Sequence, residues 1–205
     1  MKEINVIIEK LKYYGFVIFK KYFNPNLIIP RLTPIELNAF KEILKVNKHM
    51  VYFEYGSGGS TIIANNIFET IYSMDTDERW VNMLNKKLGR EIVTLVNIGE
   101  VKEWGFPLIE NEINFNKLVH CFDDLLMEEK REKLIFVDGR ARLAISLNLI
   151  QYFGINDILI IHDFIERPEY YEILKYYKII NIFDSLIILK LNLEIEKEKN
   201  QFDFR

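Results

Sequence analysis

Short apolar runs alternate with amphipathic segments along most of this chain. Five runs rich in Val, Ile, Leu and Phe have the length and composition of buried parallel strands. They begin at Met50, Thr70, Ile92, Lys133 and Asp157. Two further apolar runs, 178–183 and 186–191, flank Asp184 and Ser185 and predict an antiparallel hairpin. The pattern therefore predicts a mostly parallel α/β sheet that ends in a hairpin.

Capping signals predict where the helices begin and end. Thr33, Pro34 and Glu36 supply an N-cap, a first-turn proline and a capping-box acid, so a helix should start there. Asp77 and Gly89 predict the start and the end of a helix between them. Further helices are expected over 2–23, 141–153 and 169–177.

Composition limits the function classes. A chain of 205 residues with 49% hydrophobic and 28% charged residues is typical of one soluble globular domain. A net charge of −3 disfavours a nucleic-acid partner, because no general attraction to phosphates exists. Cys121 is the only cysteine, which excludes an intrachain disulfide. No signal peptide or membrane-spanning run is present, so we expect a cytoplasmic protein.

The stretch that follows the first strand predicts a ligand site. It reads E-Y-G-S-G-G-S-T over residues 54–61, and its glycines allow a ligand to approach the backbone before the next helix begins. Glu54 can accept hydrogen bonds from a ligand's ammonium or hydroxyl groups. The dinucleotide fingerprint G-x-G-x-x-G needs a third glycine where this chain has Thr61, which disfavours NAD.

The second and third strands add a nucleoside site. Asp75 ends the second strand, 21 positions after Glu54, where a carboxylate accepts hydrogen bonds from both ribose hydroxyls of an adenosyl ligand. The third strand ends at Gly99, which should lie beside the adenine. Trp80 is expected to pack under this site, with adenine contact as an alternative.

The fourth and fifth strands end in groups suited to chemistry. Asp138 is followed by Arg140, whose guanidinium could hold a carboxylate or phosphate of the cofactor or of the acceptor. The simpler alternative is a surface ion pair between Arg140 and Asp138. His162 and Asp163 end the fifth strand, and a neutral imidazole beside a carboxylate can act as a general base. The alternative is a structural histidine bonded to loop backbone.

The connection from 100 to 117 is expected to be irregular. Trp104 and Phe106 on it could line an acceptor pocket as stacking platforms, or simply anchor an ordinary loop. Both interpretations stay open.

The motifs E-x-G-x-G-G, S-M-D-T-D, F-V-D-G-R and I-I-H-D-F, in this order, resemble class I S-adenosylmethionine (SAM)-dependent methyltransferases. The resemblance covers 33–192 of a single domain, leaving 1–32 as a helical extension and 193–205 as a charged tail. It implies a Rossmann-like sheet of seven strands, mostly parallel with the last strand antiparallel, and helices on both faces. It also implies a set of SAM-binding residues. These are Glu54, Gly56, Ser57, Gly58, Ser60, Thr61, Asp75, Thr76 and Gly99.

The resemblance further implies that Asp138 and His162 face the methyl group, assisted by Asp163. The expected activity is O-methylation of a hydroxyl on a small-molecule or carbohydrate acceptor, with Arg140 and Trp104 as substrate contacts. Related metal-dependent enzymes keep an Asn where this chain has Phe164, so a divalent metal on Asp138 and Asp163 is not favoured.

The alternative function is a non-catalytic SAM- or nucleotide-binding module. Such a module would dock on a larger assembly through the aromatic and basic helix over 2–23, which could also touch a membrane surface. The simpler expectation is that this helix packs on the protein's own sheet. The pattern makes no prediction of oligomeric state.

Overall fold

A computed structural model describes residues 28–109, 111–192 and 194. The helix predicted over 2–23 and all but one residue of the predicted tail lie outside these residues. Seven strands form one sheet in the order β3-β2-β1-β4-β5-β7-β6. Strands β1 to β5 run parallel, and β7 runs antiparallel to both of its neighbours. The strands are β1 Val51–Tyr55, β2 Ile71–Asp75, β3 Val93–Leu95, β4 Lys133–Val137, β5 Ile158–Ile161, β6 Tyr177–Phe183 and β7 Leu186–Leu191. The predicted fold class is confirmed.

Six α-helices and two 3-10 helices connect the described strands. The α-helices are α1 Pro34–Val46, α2 Gly59–Asn65, α3 Glu78–Leu88, α4 Glu112–Val119, α5 Asp123–Glu128 and α6 Arg142–Leu149. The 3-10 helices span Glu103–Gly105 and Pro168–Lys175. Both predicted boundaries of α3 are confirmed, because Asp77 caps its first turn and Gly89 ends it with φ 71°. The capping box of Thr33 and Glu36 at the start of α1 is confirmed as well.

Four predicted elements differ from the observed ones. The helix expected over 141–153 spans only Arg142–Leu149. The third strand is shorter than expected, since only Val93–Leu95 pairs with β2. The connection after it is not irregular throughout, because Asn111 caps helix α4. The helix expected over 169–177 is a 3-10 helix that ends at Lys175, and Tyr177 already belongs to β6. Tertiary pairing with β7 therefore overrides the local helical pattern there.

The core lies on both faces of the sheet because the central strands are buried on both sides. Alternate residues of β1 and β4, such as Phe53 and Ile135, pack against α4 and α6 on one face. Tyr52 and Leu134 pack against Phe40 of α1 on the other. Because β1, β2, β4 and β5 run parallel, they end at one edge of the sheet, and the loops that follow them meet there. No helix among the described residues is long and apolar enough to cross a bilayer.

Candidate functional site

A cavity of about 690 Å³ lies at the edge where the parallel strands end. This volume is in the range of small-molecule and cofactor sites. Residues from the β1, β2, β4 and β5 loops line it, and the segment Ile28–Leu32 forms a further wall. Of the residues predicted to bind a cofactor, five line this cavity. They are Gly56, Ser57, Gly58, Ser60 and Asp75.

The three glycines in the turn after β1, here called the β1 turn, differ in the space around them. Gly56 has φ 100°, and a Cβ there would lie 2.5 Å from the backbone nitrogen of Gly139. A Cβ at Gly59 would lie 2.2 Å from the backbone nitrogen of Pro30, because the segment Ile28–Leu32 crosses the turn there. A Cβ at Gly58 would meet no atom within 4 Å. Gly56 and Gly59 therefore serve close packing of the chain, whereas Gly58 leaves the cavity open.

Glu54 is fully buried beneath the turn and does not line the cavity. Its carboxyl group accepts hydrogen bonds from Thr61 Oγ1, from Ser73 Oγ at 2.8 Å and from Tyr52 OH at 3.3 Å. Burial raises the pKa of Glu54 to about 7, although the hydroxyl donors oppose this change. The structure thus gives Glu54 a role in holding the turn, and its predicted contact with a ligand stays a prediction.

Asp75 lies at the cavity wall and ties two loops together. Its Oδ2 accepts hydrogen bonds from Ser57 N at 3.1 Å and Ser57 Oγ at 2.9 Å. Its Oδ1 accepts from Thr76 N at 2.7 Å and Asp77 N at 3.2 Å. Trp80 Nε1 donates to Ser57 O and Oγ, both at 3.1 Å, so the indole is part of the same wall. A ribose hydroxyl could donate to Asp75 once the hydroxyl hydrogen of Ser57 rotates away from this carboxylate.

Arg142 donates hydrogen bonds to residues that follow both β4 and β5, and so it links the ends of these two strands. It is nearly buried, and its guanidinium donates to Asp138 Oδ1 at 3.1 Å and Asp163 Oδ2 at 3.0 Å. It also donates to the backbone oxygens of Gly139, His162 and Asp138 at 2.8–3.0 Å. Ala141 and Asp163 have φ 58° and 56°, which non-glycine residues seldom adopt. Such strain is typical of sites where surrounding contacts fix the geometry.

His162 lies between two carboxylates. Its Nδ1 is 2.9 Å from Asp138 Oδ1, and its Nε2 is 3.4 Å from Oε2 of the buried Glu36. Burial alone would lower the pKa of His162, but the hydrogen bonds to Asp138 and Glu36 outweigh it. They raise the pKa to about 10, with help from the negative charges of Asp138 and Asp163. The imidazole is therefore a cation at neutral pH.

Asp138, His162 and Asp163 also form a group whose ligand atoms lie within 4.8 Å of one another. A divalent cation does not fit this group well. Arg142 already donates to both carboxylates, and the imidazole carries a positive charge. A metal ion would have to displace one cation and deprotonate another.

Arg140 lines the cavity and stacks on Phe106, with 3.3 Å from its Cζ to the ring centre. The backbone of Trp104 lies in the first 3-10 helix, and its side chain lies outside the described part of the chain. Glu103 and Gly105 of the same turn line the cavity. Glu103 and Gly105 thus bring this connection to the cavity wall, Phe106 does not line it, and substrate contact by Trp104 stays a prediction.

The structure brings together most of the predicted site. Asp138, Arg140, His162 and Asp163 line the same cavity as the glycine turn and Asp75. Thr61, Thr76 and Gly99 do not line it. Thr61 Oγ1 accepts from Gly58 N at 2.8 Å, Thr76 Oγ1 donates to Gly105 O at 3.1 Å, and Gly99 is exposed. The two hydrogen bonds support the loops around the cavity.

Sequence reasoning missed several cavity residues and partners. Glu36 reads as a capping residue, and only the fold brings the Oε2 that accepts from Thr33 N to within 3.4 Å of His162 Nε2. Arg167 gives no local signal, although it lines the cavity. Arg142 stands beside Arg140 at the head of a predicted helix, but its hydrogen bonds to Asp138 and Asp163 follow only from the fold.

Comparisons with known proteins agree with this geometry at the level of the fold. No protein-family model matches the chain, and no curated protein matches it in sequence. A crystal structure of a methyltransferase-like protein from Silicibacter pomeroyi superposes with a TM-score of 0.68 at 18% identity. The match covers 86% of this chain and 97% of that one. This chain shares the fold of that methyltransferase-like protein. At this level of identity the similarity extends to the architecture, and the chemistry must be argued from the site.

Proposed function

We propose that this protein is a SAM-dependent methyltransferase that methylates a hydroxyl group of a small-molecule or carbohydrate acceptor. The observation that carries the proposal is the shared cavity. It has the open position at Gly58 and the carboxylate of Asp75 at one end, and Asp138 with His162 at the other. One cavity can thus bind an adenosyl group and place an acceptor next to ionisable side chains.

The residues present fit SAM. Asp75 would bind the ribose, and the backbone at Ser57 and Gly58 leaves room beside it. The sulfonium of SAM supplies an activated methyl group, so the protein contributes mainly alignment and proton removal. Trp80, held by its hydrogen bonds to Ser57, provides an apolar wall for the adenosyl end.

Proton removal from the acceptor would fall to the cluster at the ends of β4 and β5. His162 is the predicted general base, and its raised pKa makes this role most effective at alkaline pH. At neutral pH the cationic His162 would instead orient Asp138, whose carboxylate could accept the proton. Arg142 holds both strand ends in place whichever group acts.

Calorimetry with S-adenosylhomocysteine, SAM and NAD tests the cofactor, and release of S-adenosylhomocysteine from SAM with a panel of hydroxyl acceptors tests turnover. We expect binding of both adenosyl sulfur compounds and no binding of NAD. His162→Ala should lower turnover about 10²–10⁴-fold with cofactor affinity unchanged. Binding without turnover on any acceptor would favour the alternative, a non-catalytic SAM-binding module. Absence of binding would overturn both.

A further inference from the structure

Two arginines of the cavity wall are not needed for the steps above. Arg140 follows β4, and Arg167 precedes the 3-10 helix after β5. Both line the cavity at the end where Asp138, His162 and Asp163 lie. They come from different loops, so only the folded sheet brings them to the same region.

Aromatic rings orient both guanidinium groups. The Cζ of Arg140 lies 3.3 Å from the ring centre of Phe106, and that of Arg167 lies 5.7 Å from the ring centre of Tyr170. Stacking fixes the plane of the Arg140 guanidinium, whose N–H donors then point along this plane, whereas Arg167 makes a looser cation–π contact. This preorganised arrangement is suited to bidentate recognition of a planar or tetrahedral oxyanion.

Several cations share the neighbouring carboxylates, because the charge of Asp138 acts on Arg140 and the charge of Arg167 acts on Asp163. Asp138 and Asp163 accept hydrogen bonds from Arg142, and Asp138 is also paired with His162. Arg167 approaches the exposed Glu169 only to 3.9 Å, a distance at which an ion pair contributes little. Burial, together with repulsion from Arg142 and Arg167, lowers the pKa of Arg140. The guanidinium groups are thus close enough to repel one another.

We propose that the acceptor carries an anionic group, a phosphate or a carboxylate, which Arg140 and Arg167 bind at the β4–β5 end of the cavity. This inference rests on the proposed function, because it names the chemistry of the acceptor. Arg31, on the segment Ile28–Leu32, is a further cation in the cavity lining.

Calorimetry on protein saturated with S-adenosylhomocysteine tests the anion site, with phenyl phosphate and benzoate as probes and benzyl alcohol as a neutral control. We expect at least one anion to bind and benzyl alcohol not to bind. Arg140→Gln and Arg167→Gln should each weaken anion binding about 10-fold or more. Arg90→Gln is the matched control, because Arg90 is exposed, donates to Asn65 Oδ1 and lies outside the cavity lining. The two anions separate phosphate from carboxylate recognition.

Three results would overturn the inference. They are the absence of anion binding, equal binding by all three variants, and competition between the anion and S-adenosylhomocysteine. Competition would assign the arginines to the cofactor instead. The proposed function can fail separately, because arginine-dependent anion binding in a protein that does not bind S-adenosylhomocysteine would refute the methyltransferase and keep the anion site. Melting temperatures of the variants show whether each is folded.

Discussion

His162 Nδ1 lies 2.9 Å from Asp138 Oδ1, although the two residues follow different strands. The parallel pairing of β4 with β5 brings them together, since Val137 and Ile161 are in register. Glu36 on α1 approaches the other ring nitrogen, at 3.4 Å. The imidazole therefore joins the sheet edge to the helix that packs over it, and its charge state affects both stability and chemistry.

The raised pKa of His162 predicts a loss of stability at alkaline pH. The unfolded imidazole titrates near 6.5 and the folded one near 10, so the folded state holds the proton more tightly. This stabilisation is complete below pH 6.5 and disappears as pH rises towards 10. The free energy of unfolding should then fall by an amount on the order of a few kcal/mol. NMR titration of the ring and urea unfolding at several pH values measure both quantities.

Glu54 must be separated from this effect. Its pKa is raised from 4.5 to about 7. The contribution of Glu54 to stability therefore also falls as pH rises, but it does so between pH 4.5 and about 7. Loss of stability above pH 7.5 in the wild type, but not in His162→Gln, would be specific to the histidine. A ring that titrates near its ordinary value would contradict the prediction.

Asp138→Asn distinguishes the two candidate bases. Without the Asp138 charge, the pKa of His162 should decrease, because one of its two main carboxylate partners is lost. If neutral His162 is the base, the rising limb of the pH–rate profile should move to lower pH. A uniform loss of rate with no movement of the limb would make Asp138 the base. Glu36→Gln is the matched control, since it also removes a carboxylate partner of His162 but lies farther from the open cavity.

Asp75→Ala should weaken S-adenosylhomocysteine binding about 10–100-fold, or about 1.5–3 kcal/mol, because charge-assisted hydrogen bonds to the ribose are lost. Some of this cost would come from the freed Ser57 turn, which Asp75 holds through two contacts. Asp77→Asn is the control, because Asn caps a helix as well as Asp does. Unchanged affinity in Asp75→Ala, measured by calorimetry, would remove Asp75 from the cofactor site.

Much of the fold is predictable because its signals are local. The boundaries of α3 and the hairpin from β6 to β7 depend on caps, glycines and apolar runs that are visible in the sequence. The site is predictable to the extent that parallel strands end at a common edge. Asp75, Asp138 and His162 each end or follow a strand, so their convergence follows from the strand order.

The remaining features depend on contacts between distant parts of the chain. Glu36 bonds to the backbone of Ser185 at 2.9 Å and approaches His162, and neither partner is near it in sequence. The buried carboxyl group of Glu54 accepts hydrogen bonds from Ser73 and Thr61, and Ser73 lies 19 positions away in the sequence. The sequence pattern places both acids near the ends of their elements, but only the packed structure shows which groups they contact.

Divalent cations should not stabilise this protein. Arg142 donates to Asp138 and Asp163, and a metal ion would have to break both contacts beside a positively charged imidazole. Melting curves with Mg²⁺, Mn²⁺ or EDTA are expected to coincide. Arg142→Ala is the informative variant, because removing the guanidinium frees two carboxylates that could then bind a metal. Stabilisation of the wild type by Mg²⁺ would contradict the prediction.

Substitutions at the glycines of the β1 turn should distinguish effects on folding stability from effects on ligand binding. Gly58→Val should keep the melting temperature near that of the wild type, because its φ of 178° is extended and its Cβ meets no atom within 4 Å. The added side chain would enter the cavity and reduce S-adenosylhomocysteine affinity by at least about 10-fold through steric exclusion.

Gly56→Ala should do the opposite and destabilise the fold. Its Cβ would lie 2.5 Å from the backbone of Gly139, and its φ of 100° is strained for any residue with a side chain. We expect a loss of about 1–3 kcal/mol in the free energy of unfolding, measured by urea denaturation. Gly89→Ala is the matched control for backbone strain without a clash, because Gly89 also has positive φ but nothing lies within 4 Å of its Cβ position. If Gly58→Val and Gly56→Ala change stability and affinity in the same proportion, Gly58 serves the fold and the open end of the cavity is not a binding site.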